Sequence, residues 1–298
     1  MVGTTEQGGE ARLATFKSAV ESRAASIAED LERGQRYKRT RLPRLRSEPA
    51  DYSRVHGSSR EQEAVAEFDH INVRVQQSFA RAASSTRPGP LVLEEFYDGT
   101  PRLSQPYADL IATLLAARSE ANGRVFLSRA EGRVIAESLE RTGKSLLSMG
   151  FSLFAERAFD EAATVHSRIR DAQAEDRCKY WQLEAHRRTY PWWHPMRFVG
   201  LPLRWLVGYG YKPMRLLVWI VVVIAGFAVY LLHLTRNPGA TRGDALFMTL
   251  QNFVNPIGLG DVKSISPTWE TPLEVETYTG DILRNVFFVL LIRKWFRL

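Results

Sequence analysis

Leu216–Leu234 reads LLVWIVVVIAGFAVYLLHL, nineteen residues without a Lys, Arg, Asp or Glu. As an α-helix this stretch reaches about 28 Å, close to the ~30 Å hydrocarbon core of a bilayer. A wholly apolar helix can also be the buried centre of a soluble protein, but here the flanks match a membrane interface. Trp219 and Tyr230 stand near the two ends, where amphipathic rings favour the headgroup layer, and His233 closes the far edge. The stretch predicts a transmembrane helix over 216–234 and makes the lipid bilayer the first expected partner.

Charge sets the expected orientation. The basic juxtamembrane segment 191–215 belongs to a longer run from His186 to Arg215 with six basic residues (Arg187, Arg188, Arg197, Arg204, Lys212, Arg215) and no acidic one. From Asn237 to Asp281, two basic residues face six acidic ones (Asp244, Asp261, Glu270, Glu274, Glu276, Asp281). Lys and Arg are retained on the cytoplasmic side. The expectation is therefore a cell-membrane protein with a large cytoplasmic N-terminal domain and an outer loop over 235–277. The tail is basic again, at Arg284, Arg293, Lys294 and Arg297, which predicts a second crossing. Its candidate is a short membrane helix over 278–298, continuously apolar only at Val286–Ile292. Asp281 and Arg284 interrupt its front and could pair at i,i+3 or reach the outer headgroups. The alternative is a half-spanning or interfacial helix.

Met1–Glu10 is polar and carries no apolar core, so no cleavable secretory signal is expected. Cys178 is the single cysteine, which precludes an intrachain disulfide and fits a reducing compartment. On this topology its thiol should react with an impermeant reagent only after permeabilisation. The six histidines show no metal-ligand spacing, and no cofactor, metal or catalytic residue is expected.

The preceding region predicts helices throughout. In 1–58, apolar positions Leu13, Phe16, Val20, Ala24, Ile27 and Leu31 alternate by three and four, which fits either a coiled coil or an amphipathic helix docked on the domain. Gln35–Ser59 follows as a basic linker with Arg36, Lys38, Arg39, Arg41, Arg44 and Arg46. Such a run suits a solvated linker or a contact with anionic lipid. Nucleic acid is not the expected partner, since only Tyr37 could stack on a base.

Over 59–190 a helical domain is expected, opening with Val65, Phe68, Ile71, Val75 and Phe79 on one face of a helix from Arg60 to Ala83. Ser84–Pro106 reads as a loop around the apolar patch Leu91–Leu93. Tyr107–Arg188 reads as helix with breaks at Asn122-Gly123, Gly132, Gly143 and Gly150. Met149-Gly150 with Phe159-Asp160-Glu161-Ala162 matches part of a tetratricopeptide repeat and predicts helical hairpins, although no second copy is visible. Thr142-Gly143-Lys144-Ser145 imitates the end of a phosphate-binding loop. Ser138 stands where that loop needs its first glycine, and no strand precedes it.

The loop between the two apolar segments carries the chemistry. Asp244–Val254, DALFMTLQNFV, predicts a pore-helix-like element over 244–254, about 16 Å long and half a bilayer deep. Asn255-Pro256-Ile257-Gly258-Leu259-Gly260-Asp261 follows directly. Two glycines permit backbone conformations that turn successive carbonyls toward one axis. Four such loops around a symmetry axis would replace the hydration shell of a cation.

This order of spanning helix, short helix, Gly-x-Gly-Asp and second helix resembles the two-transmembrane pore domain of the potassium-channel superfamily. It is most similar to bacterial pore domains often attached to pentapeptide repeats, which this chain lacks. Trp205-Leu206-Val207-Gly208-Tyr209-Gly210-Tyr211-Lys212-Pro213-Met214-Arg215 and Tyr180-Trp181-x-x-Glu184-x-x-Arg187-Arg188 share in the likeness, which runs from about Arg157 to the C-terminus. The resemblance implies an all-α protein: a cytosolic helical-hairpin domain, then a two-helix membrane module with a re-entrant pore helix. It implies an ion-channel-like homo-oligomer, tetrameric if a pore, that passes monovalent cations along Ile257, Gly258, Leu259, Gly260 and Asp261. Pro256 and Leu259 replace the threonine and tyrosine of the potassium signature, which implies weak ion discrimination. The alternative reading is a non-conducting membrane-anchored adaptor that recruits a cytosolic protein partner through its helical domain.

Overall fold

The computed structural model describes residues 3–41, 51–83, 91–103, 105–124, 127–190, 194–211, 213–234, 242–254 and 267–296. Among these the chain is all-helical, with no strand. It divides into two compact units, Met1–Arg197 and Phe198–Leu298.

The first unit contains α1 (Gly3–Arg41), α2 (Asp51–Ala83), a 3-10 turn at Glu94–Phe96, α3 (Pro106–Gly123), α4 (Arg129–Ser148), α5 (Ser152–Arg168) and α6 (Ala172–Thr189). Helix α1 packs against α2 and α3, α3 against α4, and α4, α5 and α6 in succession through short connections. The apolar stripe of α1 is spent inside this unit: Phe16, Val20, Ala24, Ile27 and Leu31 are all buried. Phe16 meets Phe79 of α2 edge-on at 5.4 Å between ring centroids. That contact resolves the coiled-coil and docked-helix alternatives in favour of docking. Helix α2 buries Val65, Phe68, Val75 and Phe79 and sets Phe68 edge-on against Phe154 of α5.

Both helices are longer than their apolar periodicity predicts. Gln35–Arg41, expected as linker, continues α1, and α2 begins at Asp51. Arg, Lys and Gln are good helix formers, and the first proline after them, Pro43, disfavours helix in the residue before it. Arg44 and Arg46 lie outside the described residues.

The stretch expected as a loop around Leu91–Leu93 is pinned by two carboxylates of α3. Glu120, fully buried, accepts hydrogen bonds from the amides of Val92 (2.7 Å) and Leu93 (3.2 Å) and from the Tyr97 hydroxyl (2.8 Å), and pairs with Arg124 (2.8 Å). Asp109 accepts from the amides of Arg102 (3.1 Å) and Leu103 (2.9 Å). Backbone donors that no regular ladder could serve are thereby satisfied, and Leu93, Phe96 and Tyr97 enter the core.

Helix α4 starts at a capping box, in which Ser128 and Glu131 each bind the other's amide. It then runs through Gly132 and Gly143, both expected as breaks. A Cβ at Gly132 would lie 2.4 Å from Ile169 Cγ2, and one at Gly143 would lie 3.0 Å from the Phe159 ring. These glycines therefore let α5 and its end lie close against α4, in the manner the tetratricopeptide-like residues suggested. Gly150 does end the turn, with φ +90°. Thr142–Ser145 sits within α4, where the helix consumes the amides that a phosphate cradle would need.

Cys178 is fully buried, and burial, reinforced by the charge of Glu140, pushes its thiol up to about 12. The expected labelling after permeabilisation is corrected accordingly: an enclosed, protonated thiol is closed to a bulky impermeant reagent while the fold is intact.

Candidate pore region

The second unit takes in α7 (Pro195–Val207) from Phe198 onward, a 3-10 turn at Gly208–Gly210, α8 (Pro213–Leu234), α9 (Arg242–Val254) and α10 (Pro267–Phe296). Phe198, Leu201 and Trp205 of α7 are exposed apolar residues at helical spacing. The turn after α7 places Gly208, Tyr209 and Gly210 all at positive φ (54°, 57° and 84°). Two glycines make such a run of left-handed conformations easy to adopt. Trp219 of α8 donates its indole N–H to the Trp205 carbonyl at 3.2 Å.

Met214–His233 of α8 is long and apolar enough to cross a membrane, and only 17% of its most apolar window is buried. A helix at the centre of a soluble core would be mostly covered. Here Leu217, Val218, Val221, Val222, Val229 and Tyr230 are exposed, while Leu216, Ala228 and Leu231 face inward. Among the described residues this is the one helix with that length and composition.

Helix α9 covers the predicted pore-helix segment and begins two residues earlier, at Arg242. Thirteen residues give it a length of about 20 Å. It packs against both α8 and α10, and those two pack against each other. The second helix was expected as a short element over 278–298; instead α10 is a single helix of 30 residues, about 45 Å long. Pro267 suits the first helical position and Glu270 the first turn, so the acidic stretch expected as loop becomes the helix's N-terminal part. Asp281 and Arg284 form the i,i+3 pair that their spacing allowed.

A polar cluster that the sequence reading missed joins α9 to α10. Asn252 donates to Glu276 Oε2 at 3.3 Å and accepts from the Thr277 hydroxyl at 3.0 Å. Glu276 and Thr249 are fully buried. One turn further along α10, Gly280 admits the Phe253 ring: a Cβ there would lie 2.9 Å from it. The signal available in sequence was faint: a polar Asn252 inside an apolar stretch, and Glu276 four residues before a helical glycine. The predicted ion-path residues Ile257, Gly258, Leu259, Gly260 and Asp261, with Pro256, lie outside the described residues, between the end of α9 and the start of α10.

No protein-family model, curated protein or solved structure matches this chain. Its described residues define its class: they are all-helical, with a compact helical domain and, among them, one helix long and apolar enough to cross a membrane.

Proposed function

We propose that the chain is the subunit of an oligomeric, fourfold cation pore in the cell membrane, with Met1–Arg197 as a cytoplasmic sensing or docking domain. The observation that carries this reading is the helix order around the Gly-x-Gly-Asp segment. A long apolar helix, a shorter helix of about 20 Å packed on it, and a second long helix flank Gly258–Asp261 in the sequence. The C-terminal end of α9 leads straight into that segment and would direct its negative dipole end at a cation on the axis. The exposed apolar faces of α8 and α10 suit lipid and neighbouring subunits, and the exposed Phe198, Leu201 and Trp205 of α7 suit the cytoplasmic headgroup layer. Ile257 to Gly260 would supply carbonyls to the ion path, and Asp261 a negative ring at the outer mouth.

Assembly is the first test. In mild detergent with added lipid, mass photometry should give a single species at four times the chain mass. A monomer under every lipid condition removes the pore and leaves the anchored adaptor, a reading favoured by Pro256 and Leu259 at the potassium-signature positions.

Orientation is the second. A Trp269→Cys variant should react with an impermeant maleimide on intact cells, because α10 begins in the outer loop. Ser148→Cys, at an exposed position on the first unit, should react only after permeabilisation. The opposite pattern would invert the topology.

A further inference from the structure

Three side chains from successive helices converge inside the first unit: Glu140 on α4, His166 on α5 and Cys178 on α6. All three are buried, and one donor atom from each lies within 4.8 Å of the other two. Cys178 Sγ is 3.9 Å from Glu140 Oε2. Neither His166 ring nitrogen has a hydrogen-bond partner among the described residues, although the residue is only 1% exposed. An imidazole carries one donor and one acceptor, and leaving both buried and unmet is unfavourable. One ring nitrogen of a neutral imidazole carries a lone pair, so His166 can act as a metal ligand.

The geometry points to a binding site for a borderline-soft divalent metal, zinc above all, held by Glu140, His166 and Cys178 with the fourth position open. Nitrogen and sulfur donors together exclude the oxygen-seeking calcium and magnesium. Bond lengths of about 2.0–2.3 Å place tetrahedral zinc donors roughly 3.3–3.8 Å apart, so Cys178 and Glu140 already stand near that spacing and no pair need draw in by more than about 1 Å. Arg177 and Lys144 neutralise Glu140 in the metal-free fold, through contacts of 2.7 Å and 2.8 Å. Their side chains are 48% and 49% exposed, so each can swing into water when a divalent cation takes over the carboxylate. Binding releases the Cys178 proton to solvent and leaves a zinc–thiolate bond, with no change of oxidation state. The ion would tie α4, α5 and α6 together in place of packing alone. The site lies wholly in the first unit and is independent of the pore reading.

The test uses the full chain in mild detergent, stripped with a chelator and titrated with cobalt(II) alone, then zinc(II). One equivalent of cobalt should raise a near-ultraviolet thiolate charge-transfer band and intense tetrahedral ligand-field bands, and zinc should abolish both. Cys178→Ala and His166→Ala should each weaken zinc binding by more than the ~10–100-fold lost when a group that only orients a ligand is removed. Arg177→Met, which leaves Glu140 only Lys144 as a cationic partner among the described residues, should tighten it. Folded wild type that binds cobalt without the thiolate band, or binds none, overturns the site. So does a folded Cys178→Ala with unchanged zinc affinity. Should either ligand variant fail to fold, the wild-type cobalt spectrum decides alone.

Discussion

Glu120→Ala should destabilise the helical domain by about 3–5 kcal/mol. The carboxylate is fully buried and serves four donors: the amides of Val92 and Leu93, the Tyr97 hydroxyl and the Arg124 guanidinium. Alanine removes every acceptor at once. Leu93 and Tyr97 remain buried with unmet donors, Arg124 loses its 2.8 Å partner on the same helix, and a void opens beneath the loop. Burial, and next the charge of Glu120, already hold the Tyr97 phenol well above its ordinary range, so that hydroxyl stays a donor at any workable pH. For a unit of this size the loss corresponds to a fall in Tm on the order of 10 °C. Thermal unfolding of the full chain in detergent, followed by circular dichroism, measures it. Glu120→Gln retains one acceptor oxygen but turns an amide N–H₂ toward donors, so it should fall between the two. An alanine variant within about 0.5 kcal/mol of wild type would show that the loop is held by apolar packing of Leu93 and Phe96 instead.

The second large effect is on current. In planar bilayers the wild-type protein should conduct monovalent cations, with potassium and sodium currents of similar size. Pro256 offers neither the hydroxyl nor the amide hydrogen of a threonine, and Leu259 no bracing ring. Gly258→Val should abolish the current while membrane insertion and assembly persist, because a β-branched residue rarely adopts the positive φ that inward-pointing carbonyls require. Asp261→Asn should lower conductance mainly in dilute salt. The Debye length is about 30 Å at 0.01 M and about 3 Å at 1 M, so an exposed charge at the mouth is felt only in the first case. A silent wild type, or a Gly258→Val variant that conducts as wild type does, defeats the assignment of 257–261 as the ion path.

The sequence by itself determined the helical class, the membrane-length segment and the core faces of the first two helices. Each is written in short-range pattern. Nineteen uncharged residues have one natural solvent as a free-standing helix, and Phe16-Val20-Ala24-Ile27-Leu31 can form one stripe only at 3.6 residues per turn. Tertiary structure decided what depends on neighbours distant in the chain. Gly132 and Gly143 read as breaks because glycine is a poor helix former, yet both lie within α4, where Ile169 and Phe159 occupy the space a side chain would take. Ser84–Pro106 read as loop around Leu91–Leu93 from its Ser, Pro and Gly content, but that Val92 and Leu93 are pinned by Glu120, more than twenty residues away, only the fold shows. The Asn252–Glu276–Thr277 bridge, and the convergence of Glu140, His166 and Cys178, have no spacing rule to announce them. Such contacts arise when separate helices pack. Helix packing is set by the shapes of whole faces, and no local window of sequence contains both faces.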